Sequence, residues 1–179
     1  MSEQTVETAE GPAVIALGAN LGDRRATLAA AVRAIADLPG VELTAVSSFI
    51  ETPALKPHGV DTDAPAYLNG VATVLSALPP HALLDALNAI EHANGRVRAE
   101  HWGDRTLDLD LITFAELQQS DERLTLPHPR AAERDFVLRP WLEIQPDAVL
   151  PGRGRVDALL AALTADFDKL NQREAGEQR

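Results

Sequence analysis

Apolar residues along this chain fall into short runs separated by turn-forming residues. "AVIAL" (Ala13 to Leu17) is a continuous apolar run that closes on the turn-rich "GANLGD", the pattern of a buried strand. From Asp23 to about Leu38 the spacing predicts a helix, with Leu28, Val32 and Ile35 on one stripe and Pro39-Gly40 as its stop. "VELTAVSSFIET" (Val41 to Thr52) is rich in β-branched residues and predicts a second strand; "YLNGVATVL", from Tyr67, predicts a third. Pro79-Pro80 opens a second helix whose face carries Leu83, Leu87 and Ile90, and Asn94-Gly95 ends it. In "RTLDLDLITF" (Arg105 to Phe114) the period drops to two, which predicts a strand. Leu107, Leu109 and Leu111 share one face of it, and Asp108, Asp110 and Ile112 the other. "PHPRAAERDFVLRPWLEI" reads as partly helical, and a last helix carries Leu159, Leu160, Leu163 and Phe167.

The order β-α-β-β-α-β predicts an α+β, ferredoxin-like fold: an antiparallel sheet with helices on one face, plus C-terminal helical additions. Two stretches show no periodicity, "PALKPHGVDTDAPA" and "RVRAEHWGD", and both read as loops. With no internal repeat or linker, the expectation is one domain over residues 13–171, a disordered leader over 1–12 and a frayed polar tail over 172–179.

Composition narrows the function. At 179 residues, 45% hydrophobic and 24% charged, the chain is long enough to bury a core and ordinary in its balance. No apolar run is long enough for a membrane span and no signal peptide is evident, so a cytoplasmic protein away from membranes is expected. There is no cysteine, hence no disulfide and no thiolate metal site. The net charge of −11 argues against a nucleic-acid partner. Positive charge is nevertheless clustered: of fourteen arginines, seven lie between Arg96 and Arg139, around the aspartate pair. Guanidinium forks match phosphate oxygens, so a small anionic ligand is the partner this cluster fits.

Two carboxylates on one strand face, about 6.6 Å apart along the strand, have two readings. They are the wet side of a half-exposed strand, or they hold a divalent metal. An arginine-rich approach to a metal-competent acid pair is what phosphoryl transfer requires, since cations must neutralise charge on the group in transit. A non-catalytic ligand-binding module would not need acids, arginines and an aromatic-amide pair together, and a phosphohydrolase would need a positioned base that the neighbourhood of the pair does not offer. The spacing of His58, His81, His92 and His101 does not match a metal site. Glu91 could form a structural ion pair or lie near the ligand.

"RVRAEHWGDRTLDLDLI" resembles the signature of the 6-hydroxymethyl-7,8-dihydropterin pyrophosphokinase family of the folate pathway. "IALGANLGD", "SSFIETPAL", "YLNGV", "IEHANGR", "LTLPHPR" and "RDFVL" match that family in order and spacing, from about Val14 to Leu163. The resemblance implies transfer of pyrophosphate from ATP to the pterin hydroxymethyl oxygen with release of AMP; a monomer is the expected state. It implies that Asp108 and Asp110 bind two Mg²⁺, with Arg96 and Arg105 on the phosphates. Tyr67 and Phe136 would sandwich the pterin ring and Asn69 would read its edge, with Gly18, Thr52, Pro53 and Leu55 completing the pocket. Leu84, Asn88, Glu91, Arg98, Trp102, Arg105, Leu111, Arg123, Thr125, His128 and Arg134 would line the nucleotide side. The chain departs from the family's usual pattern at Asp104, His101 and Asn88, and its 96–102 loop is short.

Overall fold

The computed structural model describes residues 10–56, 59–61, 65–94 and 106–177; for 54–56, 59–61 and 167–177 it describes the backbone. The chain opens with β1 (Gly11–Ala19), α1 (Arg24–Ala36), β2 (Val41–Val46) and β3 (Ile50–Thr52). A small hairpin, β4 (Ala54–Lys56) and β5 (Gly59–Asp61), precedes β6 (Tyr67–Ser76) and α2 (Pro80–Ala93). Then come β7 (Asp108–Phe114), the short β8 (Gln119–Ser120) and β9 (Thr125–Leu126), and α3 (Asp135–Ile144). The chain finishes with β10 (Val149–Leu150), β11 (Gly154–Arg155) and α4 (Val156–Glu177), which continues through the polar residues after Gln172.

The main sheet runs β2-β6-β1-β7, with β3 also paired to β6, and every pairing is antiparallel. β1 is central, which is why the run from Ala13 to Leu17 is apolar on both faces: a strand covered above and below has no wet side. Ala13, Ile15 and Leu17 face α1 and α2, where Leu28, Ile35, Leu83 and Leu87 are fully buried. Burying each such side chain stabilises the fold by about 1.5–3 kcal/mol before entropy is counted. The opposite face carries Val14, Val71 and Ile112, packed under Val137, Leu138 and Trp141 of α3. Leu159, Leu160 and Leu163 of α4 pack on the same cluster. The first two helices thus lie on one face, and the C-terminal additions cover part of the other.

Helix starts follow their caps. Asp23 accepts the Ala26 N–H at 3.0 Å, so α1 begins one residue later than the predicted Asp23. Pro80 occupies the first position of α2, where no N–H is needed.

Two expectations are corrected. Val41 to Thr52 is two strands, because the ladder is broken at Ser47: its hydroxyl accepts the Val71 N–H at 2.9 Å, in place of a backbone carbonyl. The adjoining Ser48 N–H donates out of the sheet to Glu143 at 2.9 Å. The aperiodic stretch after Pro53 contains the β4–β5 hairpin, with Leu55 opposite Val60. Strands of three residues are too short to show periodicity.

Candidate active site

Strand register assembles the site. Gly18 on β1 lies opposite Asn69 on β6 and, on its other side, opposite Asp108 on β7. One step back, Ala16 lies between Val71 and Asp110. Residues opposite one another share a face, so Asn69, Gly18 and Asp108 form a row, two interstrand spacings or about 10 Å long. The face is the one α3 covers further along, at Val71 and Ile112. The aspartates therefore stand where the apolar cover ends. Both remain partly exposed, whereas Leu109 and Leu111 are buried on the reverse face at 3% each. A register slip lies on β1 between Val14 and Ile15, where Thr113 and then Leu111 are the partners, so Ile112 is an extra residue of β7. Alternation along β7 keeps Ile112 on the acids' face, where it joins the second cluster.

On the β6 side, Asn69 is 7% exposed and its Nδ2 donates to Thr52 Oγ1 at 2.7 Å. Thr52 itself pairs with Tyr67. Gly18 is required here, because a Cβ would stand 2.9 Å from Asn69 Oδ1. A glycine, a buried amide and a half-buried tyrosine offer a flat surface, one side of a candidate slot, with a hydrogen-bonding edge. Pro53 follows β3 and is exposed; Leu55 lies in β4, where only the backbone is described.

On the β7 side, Asp110 Oδ2 accepts from Arg134 Nη1 at 2.9 Å, and His128 Nε2 lies 3.9 Å from the same oxygen. The Arg134 guanidinium sits 5.8 Å from the centroid of the Phe136 ring, which links the acid to that aromatic. His128 Nδ1 accepts the Arg130 N–H at 3.2 Å, so the neutral ring carries its proton on Nε2, toward Asp110. Burial holds the imidazole below its ordinary pKa; the Asp110 charge opposes that and Arg134 reinforces it. Its backbone N–H donates to Ile112 O at 2.8 Å, which ties the Pro127–Pro129 segment to the outer edge of β7.

Leu84, Asn88 and Glu91 form one stripe of α2. Glu91 is 1% exposed and its Oε1 accepts the Leu109 N–H at 2.7 Å, so its structural role is to fix the strand between the aspartates. Leu84 and Leu111 both belong to the core on that side. Arg123 is exposed and pairs with Asp85 of α2, while Thr125 shares a 3.0 Å hydrogen bond with Ser120. A groove of about 420 Å³ includes Thr125 and His128 but neither aspartate. Arg96, Arg98, Trp102 and Arg105 lie outside the described residues, as do Asp104 and His101. One contact had no signal in the sequence: Glu143 of α3 accepts both the N–H and the hydroxyl of Ser48, at 2.9 and 2.6 Å.

Residues 14–146 match the family described as 7,8-dihydro-6-hydroxymethylpterin-pyrophosphokinase (HPPK). A 2-amino-4-hydroxy-6-hydroxymethyldihydropteridine pyrophosphokinase of Methylorubrum extorquens is 44% identical over 147 residues, covering 82% of this chain and 90% of that one. The protein of the same name from Haemophilus influenzae is 44% identical over 139 residues, or 78% and 84% of the two chains. Among solved structures, wild-type Plasmodium falciparum HPPK-DHPS with SDX-DHP superposes with a TM-score of 0.66 at 13% identity. That match covers 93% of this chain and 46% of the other, so this chain spans less than half of that protein, and the likeness is one of fold. This chain belongs to the 7,8-dihydro-6-hydroxymethylpterin-pyrophosphokinase family.

Proposed function

We propose that the groups around Asp108 and Asp110 transfer pyrophosphate from ATP to the hydroxymethyl oxygen of 6-hydroxymethyl-7,8-dihydropterin, releasing AMP, a step of folate biosynthesis. The observation that carries this reading is the row Asn69–Gly18–Asp108. A flat ring with an amide-like edge and a short alcohol arm needs an edge reader at one end and phosphate-handling groups at the other. The row puts a buried amide and an acid about 10 Å apart with a glycine between them.

In the reaction the alcohol oxygen forms a bond to the β-phosphorus as the bridge to the α-phosphate breaks, and the alcohol proton leaves. Asn69, steadied by Thr52, reads the ring's polar edge; Tyr67 and Phe136 supply its two faces. Asp108 and Asp110 are the groups that would hold Mg²⁺, two ions in this proposal. The donor set fits: both acids are hard oxygen donors beside small residues, Gly18 and Ala16. Among the described residues no cluster of three or more ligating side chains exists, and Mg²⁺ is commonly bound by one or two carboxylates plus phosphate oxygens. Held there by Asp108 and Asp110, the ions would neutralise charge on the triphosphate.

We assign Arg134 and His128 to the same phosphates, a reading supported by their shared position at Asp110 Oδ2. We further assign Arg96 and Arg105 to the phosphates, and Leu84, Asn88, Glu91, Arg98, Trp102, Leu111, Arg123 and Thr125 to the nucleotide side, on the family motifs. We further propose that the chain works as a monomer in the cytoplasm, in one domain over residues 13–171. No described helix is long and apolar enough to cross a membrane.

The test is direct. The protein is incubated with ATP, MgCl₂ and the hydroxymethyl dihydropterin, and AMP is measured. AMP formed only when all three are present supports the assignment. ADP formation, or AMP release that does not need the pterin, overturns it.

A further inference from the structure

Arg24, the first residue of α1, reaches across the molecule to two segments far away in sequence. Its Nη1 donates to the carbonyl of Ala66 at 2.5 Å, and its Nη2 pairs with Glu51 Oε2 at 2.9 Å. Ala66 immediately precedes Tyr67, and Glu51 immediately precedes Thr52. These two neighbours form the last rung of the β3–β6 ladder.

The ladder ends at that point. Its register pairs Ile50 with Asn69, Glu51 with Leu68 and Thr52 with Tyr67. Arg24 ties the two strands together there from outside the ladder, through the carbonyl just before β6 and a carboxylate on β3. The position of Arg24 is itself fixed. Its backbone N–H donates to Gly22 O at 3.0 Å, Gly22 takes a φ of +63°, and Asp23 caps the helix behind it.

We infer that Arg24 is a positioning residue that clamps the open end of the β3–β6 ladder and so holds Thr52 and Tyr67 in register as one wall of the pterin slot. This rests on the pterin reading of that slot proposed above. The guanidinium is 30% exposed and Glu51 is 60% exposed, so the ion pair adds little to global stability. Its effect is local order at the wall. The two donors diverge in one plane toward a carbonyl and a carboxylate, which lysine cannot reproduce, since it offers a single charged centre.

The test uses Arg24→Ala and Arg24→Lys in the full chain, with two readouts. Hydrogen exchange by NMR should quicken in Arg24→Ala at the amides of β3 and of Tyr67 to Asn69, while β1 amides stay unchanged. Steady-state kinetics should show the pterin KM rising about tenfold in Arg24→Ala, with kcat and the ATP KM within about twofold of wild type, and Arg24→Lys in between. A slot that merely needs a folded protein would lose both substrates together. Unchanged exchange at β3 and Tyr67 overturns the clamp, and so does a matched rise in both KM values. Should the wild type give no pterin-dependent AMP, the pterin reading fails, while the exchange data still decide whether Arg24 clamps the ladder.

Discussion

The Glu91 carboxylate accepts the backbone N–H of Leu109, the residue between Asp108 and Asp110, at 2.7 Å. β7 is the edge of the main sheet, and this helix side chain occupies the place where a further strand would bond. Glu91→Ala should leave that buried N–H without an acceptor, at a cost of about 1–3 kcal/mol. It should also lower turnover, since the strand bearing both acids loses an anchor. Glu91→Gln keeps an oxygen acceptor and should retain most of the stability. Urea unfolding of the three proteins checks this, and equal midpoints for wild type and Glu91→Ala would refute it.

Asp110 calls for the opposite behaviour. It and Arg134 are 29% and 21% exposed, so their ion pair contributes little to stability, of order 1 kcal/mol or less. Asp110→Ala should melt close to wild type yet lose about three orders of magnitude in AMP formation, equivalent to about 4 kcal/mol of barrier. Near-normal AMP production by this variant would return Asp110 to the role of a wet strand face.

Why the acids were legible in the sequence, and the ladder clamp was not, has a physical answer. Period-two alternation around Asp108 and Asp110 reports the strand and its two faces directly, including Ile112 on the acids' face. The first helix and Leu83, Leu87 and Ile90 followed from helical period, since a one-sided helix must bury its stripe. The register that sets Gly18 between Asn69 and Asp108 depends on pairing between strands about fifty and ninety residues apart in sequence, which no local pattern encodes. The break at Ser47 and the reach of Arg24 depend on single side chains meeting distant backbone. Family motifs name Tyr67, Asn69 and Phe136; geometry explains why a glycine stands beside the first two.

That glycine gives a further prediction. A methyl at Gly18 would meet Asn69 Oδ1 at 2.9 Å, and Asn69 is held by Thr52, so the amide must give way. Gly18→Ala should therefore weaken pterin binding about tenfold, roughly 1.4 kcal/mol, and leave ATP binding within error. Titration calorimetry with each ligand separates the two. Loss of both affinities in step would mean that the strand, not the slot, was disturbed.

A pH effect is expected at the α3 contact. The Ser48 hydroxyl, and then its N–H, hold the Glu143 carboxyl below its ordinary value of 4.5. A carboxyl with a depressed folded value favours folding when ionised. That contribution is full above 4.5 and fades as pH falls through the lower folded value. Glu143→Gln should be less stable than wild type at neutral pH, and the gap should close as the solution is acidified below that range. Melting curves recorded across the carboxylate range test this; a gap independent of pH would assign the contact to packing alone.

Phe136 is the sharpest discriminator between the two halves of the site. It lies two residues beyond Arg134, near the start of α3, and is partly buried against the second apolar cluster. Its ring carries the Arg134 guanidinium 5.8 Å from its centroid, while Arg134 also holds Asp110. If the ring's main task is to stack on the pterin, Phe136→Ala removes a stacking partner worth about 0.5–1.5 kcal/mol beyond its area burial. Pterin affinity should then fall well over tenfold once lost contact area is included, about 1.4 kcal/mol or more. ATP affinity should change far less, because Arg134 keeps its carboxylate partner without the ring. Phe136→Tyr should retain most of the pterin affinity, since it preserves the ring face. Equal losses for pterin and ATP in Phe136→Ala would show that the ring serves chiefly to support Arg134, and would move Phe136 from the pterin wall to the phosphate side.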